Sequence, residues 1–122
     1  MRMQLSEIQE ILKADVIFGD DRLDIEVTGG AASDLMSDLL RGPTKTGVLV
    51  LSGLNNIQVI RTAVIAGVTA VVFVRDKEPS ADMIAHAREH ELPLLSTPFT
   101  MYTACGRLFG RGLRGIEQKL PT

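Results

Sequence analysis

Three short stretches of the chain carry side chains and amides that could hold a ligand. Thr28-Gly29-Gly30-Ala31-Ala32-Ser33-Asp34 follows a strand-like run, Ser52-Gly53-Leu54-Asn55-Asn56 follows a continuous apolar run, and Ser96-Thr97-Pro98 follows a shorter one. Each lies where a strand is expected to hand over to a helix. Free amides at a helix start attract anions, and open parallel sheets gather ligands beyond the carboxyl ends of their strands. The candidate ligand-binding residues are therefore Thr28, Gly29, Gly30, Ser33, Asp34, Ser52, Gly53, Asn55 and Thr97. Taken singly, Ser52 and Thr97 read as helix caps, the usual work of Ser and Thr at such positions. The glycine pair is expected to form a turn with positive φ that lets another group approach its amides.

Other chemistry is weakly signalled. The glycines around residue 29 lack the spacing of a dinucleotide fingerprint, and no G-x-x-x-x-G-K-[ST] loop occurs. His86-Ala87-Arg88-Glu89-His90 spells H-x-x-E-H, a zinc-protease pattern. Such enzymes need a further ligand and a large cleft, so the expected outcome is a charge-rich helix surface with no metal. Asp34 and Asp38 read as helix N-terminal charges, and Asp20, Asp21 and Asp24 as turn residues. Cys105 lacks the basic partner a nucleophile requires. No catalytic residue and no cofactor are expected.

The elements that must position these residues follow from periodicity. Ser6 and Gln9 have capping-box spacing and open a helix whose apolar face is Leu5, Ile8, Ile11 and Leu12. Residues 16–18 and 23–27 read as strands joined by Gly19-Asp20-Asp21, an expected edge hairpin. Leu35, Met36, Leu39 and Leu40 predict a helix ending at Gly42-Pro43. Residues 47–52, 70–74 and 92–95 predict buried strands, alternating with helices over 54–66, 79–91 and from Thr97 to about residue 108. That alternation implies an α/β fold: a three-layer-like open sheet, mostly parallel, with crossover helices and an N-terminal helix plus edge strands. The helix over 54–66 carries an Ile57, Ile60 and Val64 stripe with Val59 and Ile65 on its flanks, which predicts a sandwiched or partner-covered helix.

Composition bounds the rest. The 122 residues are 45% hydrophobic and 23% charged, which predicts one globular domain over 1–115. The glycine–arginine end from Gly106 to Gly115 reads as a fraying helix, with residues 116–122 a mobile tail. A formal net charge of −2 argues against nucleic-acid and membrane binding. One cysteine, an opening that turns polar at once and no long apolar run predict a cytoplasmic location. A symmetric homodimer is the expected assembly.

Residues 24–38 and Pro93-Leu94-Leu95-Ser96-Thr97 give the chain a family likeness. From Ser6 to about residue 108 it resembles a DRTGG domain, named for a motif ending in Thr-Gly-Gly, and is similar to the N-terminal domain of HPr kinase. It departs from the motif at Ile25-Glu26-Val27, where no arginine stands. DRTGG domains occur alone or attached to CBS pairs, phosphotransacetylases and some pyrophosphatases, and the kinase chemistry of HPr kinase sits in a separate domain. The resemblance implies a regulatory or dimer-forming module. With the absent catalytic constellation and the apolar helix, the expectation is a non-catalytic regulatory or protein-interaction module that self-associates, works through a protein partner and senses a small anionic ligand such as a nucleotide or phosphate compound at the three strand-end junctions. The alternative is an enzyme or transferase subunit holding a phosphoryl or acyl group at the Gly29-Gly30 turn.

Overall fold

The computed structural model describes residues 2–32 and 47–116. The helix expected over residues 34–41 and the tail beyond residue 116 lie outside them. The chain opens with a two-residue strand, β1 (Met3–Gln4), and helix α1 (Leu5–Leu12). Leu5, Ile8, Ile11 and Leu12 fall on one helical face and are all buried. The cap lies two residues earlier than Ser6: the Gln4 N–H donates to Glu7 Oε1 at 3.2 Å.

Strand β2 (Asp15–Phe18) does not pair with residues 23–27, so the expected hairpin is not formed. Residues 20–22 make a 3₁₀ turn, and the carbonyls of Leu23 and Ile25 accept hydrogen bonds from Ser6 and Leu5 N–H at 2.9 Å. Those are amides of α1's first turn, which have no partner inside the helix. The segment is consumed in capping α1 and leaves only β3 (Glu26–Val27) to pair with β1, antiparallel. β2 is instead the antiparallel edge of the main sheet.

That sheet has the order β2-β7-β6-β5-β4, with β4 (Gly29–Ala32), β5 (Val48–Ser52), β6 (Ala70–Phe73) and β7 (Leu94–Ser96) mutually parallel. Every residue of β5, β6 and β7 is buried, which explains their uninterrupted apolar runs. Successive side chains point to opposite faces. Leu49, Leu51, Val72 and Leu95 meet α1 and α4 (Met101–Gly110) on one side. Val71, Phe73 and Leu94 meet α2 (Ile57–Ala66) and α3 (Ala81–Glu89) on the other. The fold is thus three layers, α/β/α, as its alternating pattern predicts.

The three later helices begin after the points their apolar patterns suggest, because the caps are Asn56, Ser80 and Thr100. The Asn56 side chain accepts from Gln58 N–H at 3.0 Å, and Gly67 in the left-handed region ends α2. α2 buries Val59, Ile60 and Ala63 between the sheet and α3, while Ile65 is 75% exposed. None of the described helices is long and apolar enough to cross a membrane.

The glycine–arginine end is not frayed through residue 116. α4 runs to Gly110, Leu113 is buried in the core, and Gly30 N–H donates to the Arg114 carbonyl at 2.9 Å. A parallel bridge between Gly30 and Gly115 extends the sheet beyond β4. Arg107 Nε donates to the Ile11 carbonyl at 2.7 Å and its guanidinium lies 4.6 Å from the Phe99 ring centre. Arg114 caps the other end of this region, 4.2 Å over the Phe109 ring.

Candidate functional site

The Thr-Gly-Gly stretch is a strand. Gly29 and Gly30 pair with Val48 and Leu49 in β4, and neither has positive φ, so the expected turn and its exposed amide cradle are not formed. The glycines serve close packing instead. A Cβ on Gly30 would sit 3.3 Å from Leu113 Cδ2, and one on Gly29 would sit 3.5 Å from Ile116 Cγ2. Both small residues let the chain from 113 to 116 lie against the sheet edge. Thr28 N–H donates to the Gly47 carbonyl at 2.8 Å, and Gly47 has φ +84° with its missing Cβ facing Thr28 Oγ1 at 2.7 Å. A transferase site built on a Gly29-Gly30 turn therefore loses its geometry. Ser33 and Asp34 lie outside the described residues.

The carboxyl ends of β5, β6 and β7 do come together, with Ser52, Phe73 and Ser96 side by side in the register. Their hydroxyls are spent on the protein's own backbone. Ser52 Oγ accepts from Leu54 N–H at 3.0 Å, closing a tight turn rather than capping α2. Ser96 Oγ donates to the Lys77 carbonyl at 2.8 Å. Thr97, fully buried, donates its hydroxyl to the Leu12 carbonyl at 2.6 Å; it ties the end of α1 to the sheet and leaves the capping of α4 to Thr100. Asn55 Nδ2 reaches the Glu78 carbonyl at 2.7 Å, and Lys77 Nζ donates to the Gly53 carbonyl. Three loops are thereby laced into one rigid rim. Of the residues expected there, Ser52, Gly53, Asn55 and Thr97 meet at this rim, and Thr28, Gly29 and Gly30 belong to the sheet edge.

Sequence reasoning missed the rim's central feature, the turn Val74-Arg75-Asp76-Lys77. Arg75 and Asp76 have φ of 62° and 57°, two consecutive left-handed residues without a glycine. Lys77 N–H closes the turn on the Val74 carbonyl at 3.4 Å. Two-residue turns of this hand prefer Asn-Gly, because other side chains are strained at positive φ. Nothing in Val-Arg-Asp-Lys announces it. The neighbouring loop imposes it: Arg75 N–H donates to the Phe99 carbonyl at 2.9 Å and Asp76 N–H to the Thr97 carbonyl at 2.8 Å. The result is an exposed guanidinium-bearing residue at the end of the central strand. Replacing Asp76 by glycine relieves part of the strain, and Asp76→Gly is expected to stabilise the fold by about 0.5–1 kcal/mol, after the extra unfolded-state entropy of glycine is subtracted. Urea unfolding checks this.

The remaining candidates are dispersed. Cys105 is half-buried on α4, and burial raises its thiol above the ordinary range, which keeps it protonated and unreactive at neutral pH. It lines an apolar cavity of about 160 Å³ with Gly30, Leu51, Leu108 and Leu113. Asp20 and Asp21 lie exposed in the 3₁₀ turn. His86 and His90 are neighbours on α3 and its cap.

A three-layer sandwich with a glycine edge strand and hydroxyl-laced strand ends defines a small open-sheet α/β domain. The DRTGG domain model matches residues 7–109, and the chain belongs to that family. Among solved structures it is similar to the CBS and DRTGG domains of the regulatory region of Clostridium perfringens pyrophosphatase, complexed with the activator diadenosine tetraphosphate. The TM-score is 0.71 at 17% identity, over 86% of this chain and 45% of that one, so the fold is shared and this chain spans under half of its neighbour's length. No curated protein matches.

Proposed function

We propose that the chain is a non-catalytic regulatory module that senses a small anionic ligand, such as a nucleotide or phosphate compound, at the rim formed by the ends of β5, β6 and β7. The observation that carries this reading is the Val74–Lys77 turn. Two strained non-glycine residues are held at the end of the central strand, where Arg75 is exposed in the same turn as Lys77. Strain of this kind collects at ligand clamps and switch regions. Guanidinium groups suit phosphate because their planar fork donates two parallel hydrogen bonds. The hydroxyls of Ser52, Ser96 and Thr97 are engaged with backbone groups, which favours binding over nucleophilic chemistry at the rim. Kinship with a regulatory region crystallised with a nucleotide activator supports the same assignment, as does the resemblance of residues 93–97 to the N-terminal domain of HPr kinase.

The test is a thermal-shift panel of mononucleotides, diadenosine polyphosphates and inorganic phosphate. A ligand at 100 times its dissociation constant adds about 2.7 kcal/mol of stability, enough for a clear rise in midpoint. Arg75→Ala is expected to weaken a hit by about tenfold, the loss of a charge-assisted contact of roughly 1.5 kcal/mol. Hits unaffected by that change would place the ligand elsewhere, and a panel with no hits would leave a pure interaction module.

Output passes to a protein partner through a homodimer in this reading. The self-associating surface is the outer face of α4, where Tyr102 is 89% and Phe109 59% exposed, two turns apart and flanked by Gly106 and Gly110. Aromatic side chains beside small residues allow close helix approach. Sedimentation is expected to show a dimer that Tyr102→Glu converts to monomer, while a strict monomer at high concentration would exclude self-association. The cytoplasm is the proposed setting.

A further inference from the structure

The C-terminal turn of α3 holds His86, Glu89 and His90, and one possible ligand atom from each lies within 4.8 Å of the others. We propose that these three residues form a binding site for a divalent transition-metal ion such as zinc or nickel, separate from the rim. Residues four apart on a helix sit one above the other, and the two imidazole rings accordingly lie 4.8 Å apart, centre to centre, tilted by 56°. The His90 N–H donates to the Ala87 carbonyl at 3.2 Å, so the backbone keeps the second ring in this last turn. Two nitrogens bound to one ion at about 2.0–2.1 Å must lie no more than about 4.2 Å apart. Glu89 and His90 are exposed and His86 half-buried, so small rotations of free side chains close the difference without moving the core.

The electrostatics favour a cation here. The site is at the carboxyl end of a helix, where the backbone dipole is negative. Arg88 is drawn aside, its guanidinium 5.6 Å over the Phe18 ring. His86 and Glu89 open onto a groove shared with Arg61 of α2 and Asp82 of α3, which sets two carboxylates against one guanidinium. Imidazole donors select zinc, nickel and copper over magnesium or calcium, which prefer oxygen. Three protein donors on an exposed face leave coordination positions for water or a second molecule. The same letters that spell a protease signature here supply a surface chelate.

Calorimetric titration of the untagged chain with zinc chloride and nickel chloride tests the site. Saturable binding of one ion per chain is expected. His90→Ala should weaken it by at least about tenfold and His86→Ala with His90→Ala should abolish it, since imidazoles are the principal donors for these ions. Glu89→Gln should weaken it less. Zinc should raise the unfolding midpoint of the native chain, raise that of His90→Ala by less, and leave that of the doubly substituted chain unmoved. His90 is exposed, so its replacement leaves the fold intact. Absence of saturable binding, or equal affinity in the doubly substituted chain, overturns the proposal.

Discussion

Gly47→Ala is expected to lower the unfolding midpoint by about 10 °C, a loss of roughly 2–4 kcal/mol from left-handed backbone strain and steric overlap together. Gly47 has φ +84°, and its added Cβ would meet Thr28 Oγ1 at 2.7 Å, Thr28 Cγ2 at 3.2 Å and the Glu26 carbonyl at 3.3 Å. Retreat is blocked, since Thr28 N–H is bonded to the Gly47 carbonyl at 2.8 Å and the flanking residues Val27 and Val48 are buried in strands. Gly67 supplies the control. It has φ +72° but nothing within 4 Å of its missing Cβ. Gly67→Ala should therefore cost only the backbone term, about 1 kcal/mol. Equal losses at the two sites would show that the Thr28 contact contributes nothing. The contrast gives the threonine of the family motif a physical role: it packs against the left-handed Gly47 just before β5, where a Cβ would collide with it.

Thr97→Val is expected to cost about 1–3 kcal/mol in denaturant unfolding with no ligand present, because it leaves a buried carbonyl without its donor. Leu12 ends α1, and carbonyls in a helix's last turn lack intrahelical partners. Thr97 meets that need at 2.6 Å from a site with no solvent exposure. Valine matches threonine in shape, so packing changes little and the loss reports the hydroxyl. Thr97→Ser keeps the donor and should recover most of the stability. If Thr97→Val were as stable as the native chain yet bound a rim ligand more weakly, Thr97 would be a binding residue and not a tie.

These two experiments bear on what the motif-bearing residues do. Adjacent sequence made Thr28, Gly29, Gly30, Ser52 and Thr97 look like one kind of feature, small or hydroxylated residues at strand ends. The folded chain divides them. Gly29 and Gly30 accommodate residues 113–116, Thr28 packs on Gly47, Ser52 closes its own turn and Thr97 reaches back to Leu12. Arg75, which the proposed binding role rests on, was marked by no sequence signal, because its left-handed conformation is imposed by carbonyls of residues 97 and 99.

The sequence alone determined the layers and the family. Apolar runs over 47–52, 70–74 and 92–95 fixed three buried strands, observed at 48–52, 70–73 and 94–96, and the helical periodicity between them fixed the crossovers, since each pattern reflects burial within a single element. Thr28-Gly29-Gly30 with residues 93–97 identified the DRTGG kinship. Only the tertiary structure decided that Gly29 and Gly30 are strand rather than turn, that residues 23–25 cap α1 rather than pair with β2, and that the glycine–arginine end docks on the sheet. Each of these depends on contact between segments distant along the chain. A glycine's purpose is set by what occupies the space of its missing Cβ, and at Gly30 that is Leu113, at the far end of the sequence.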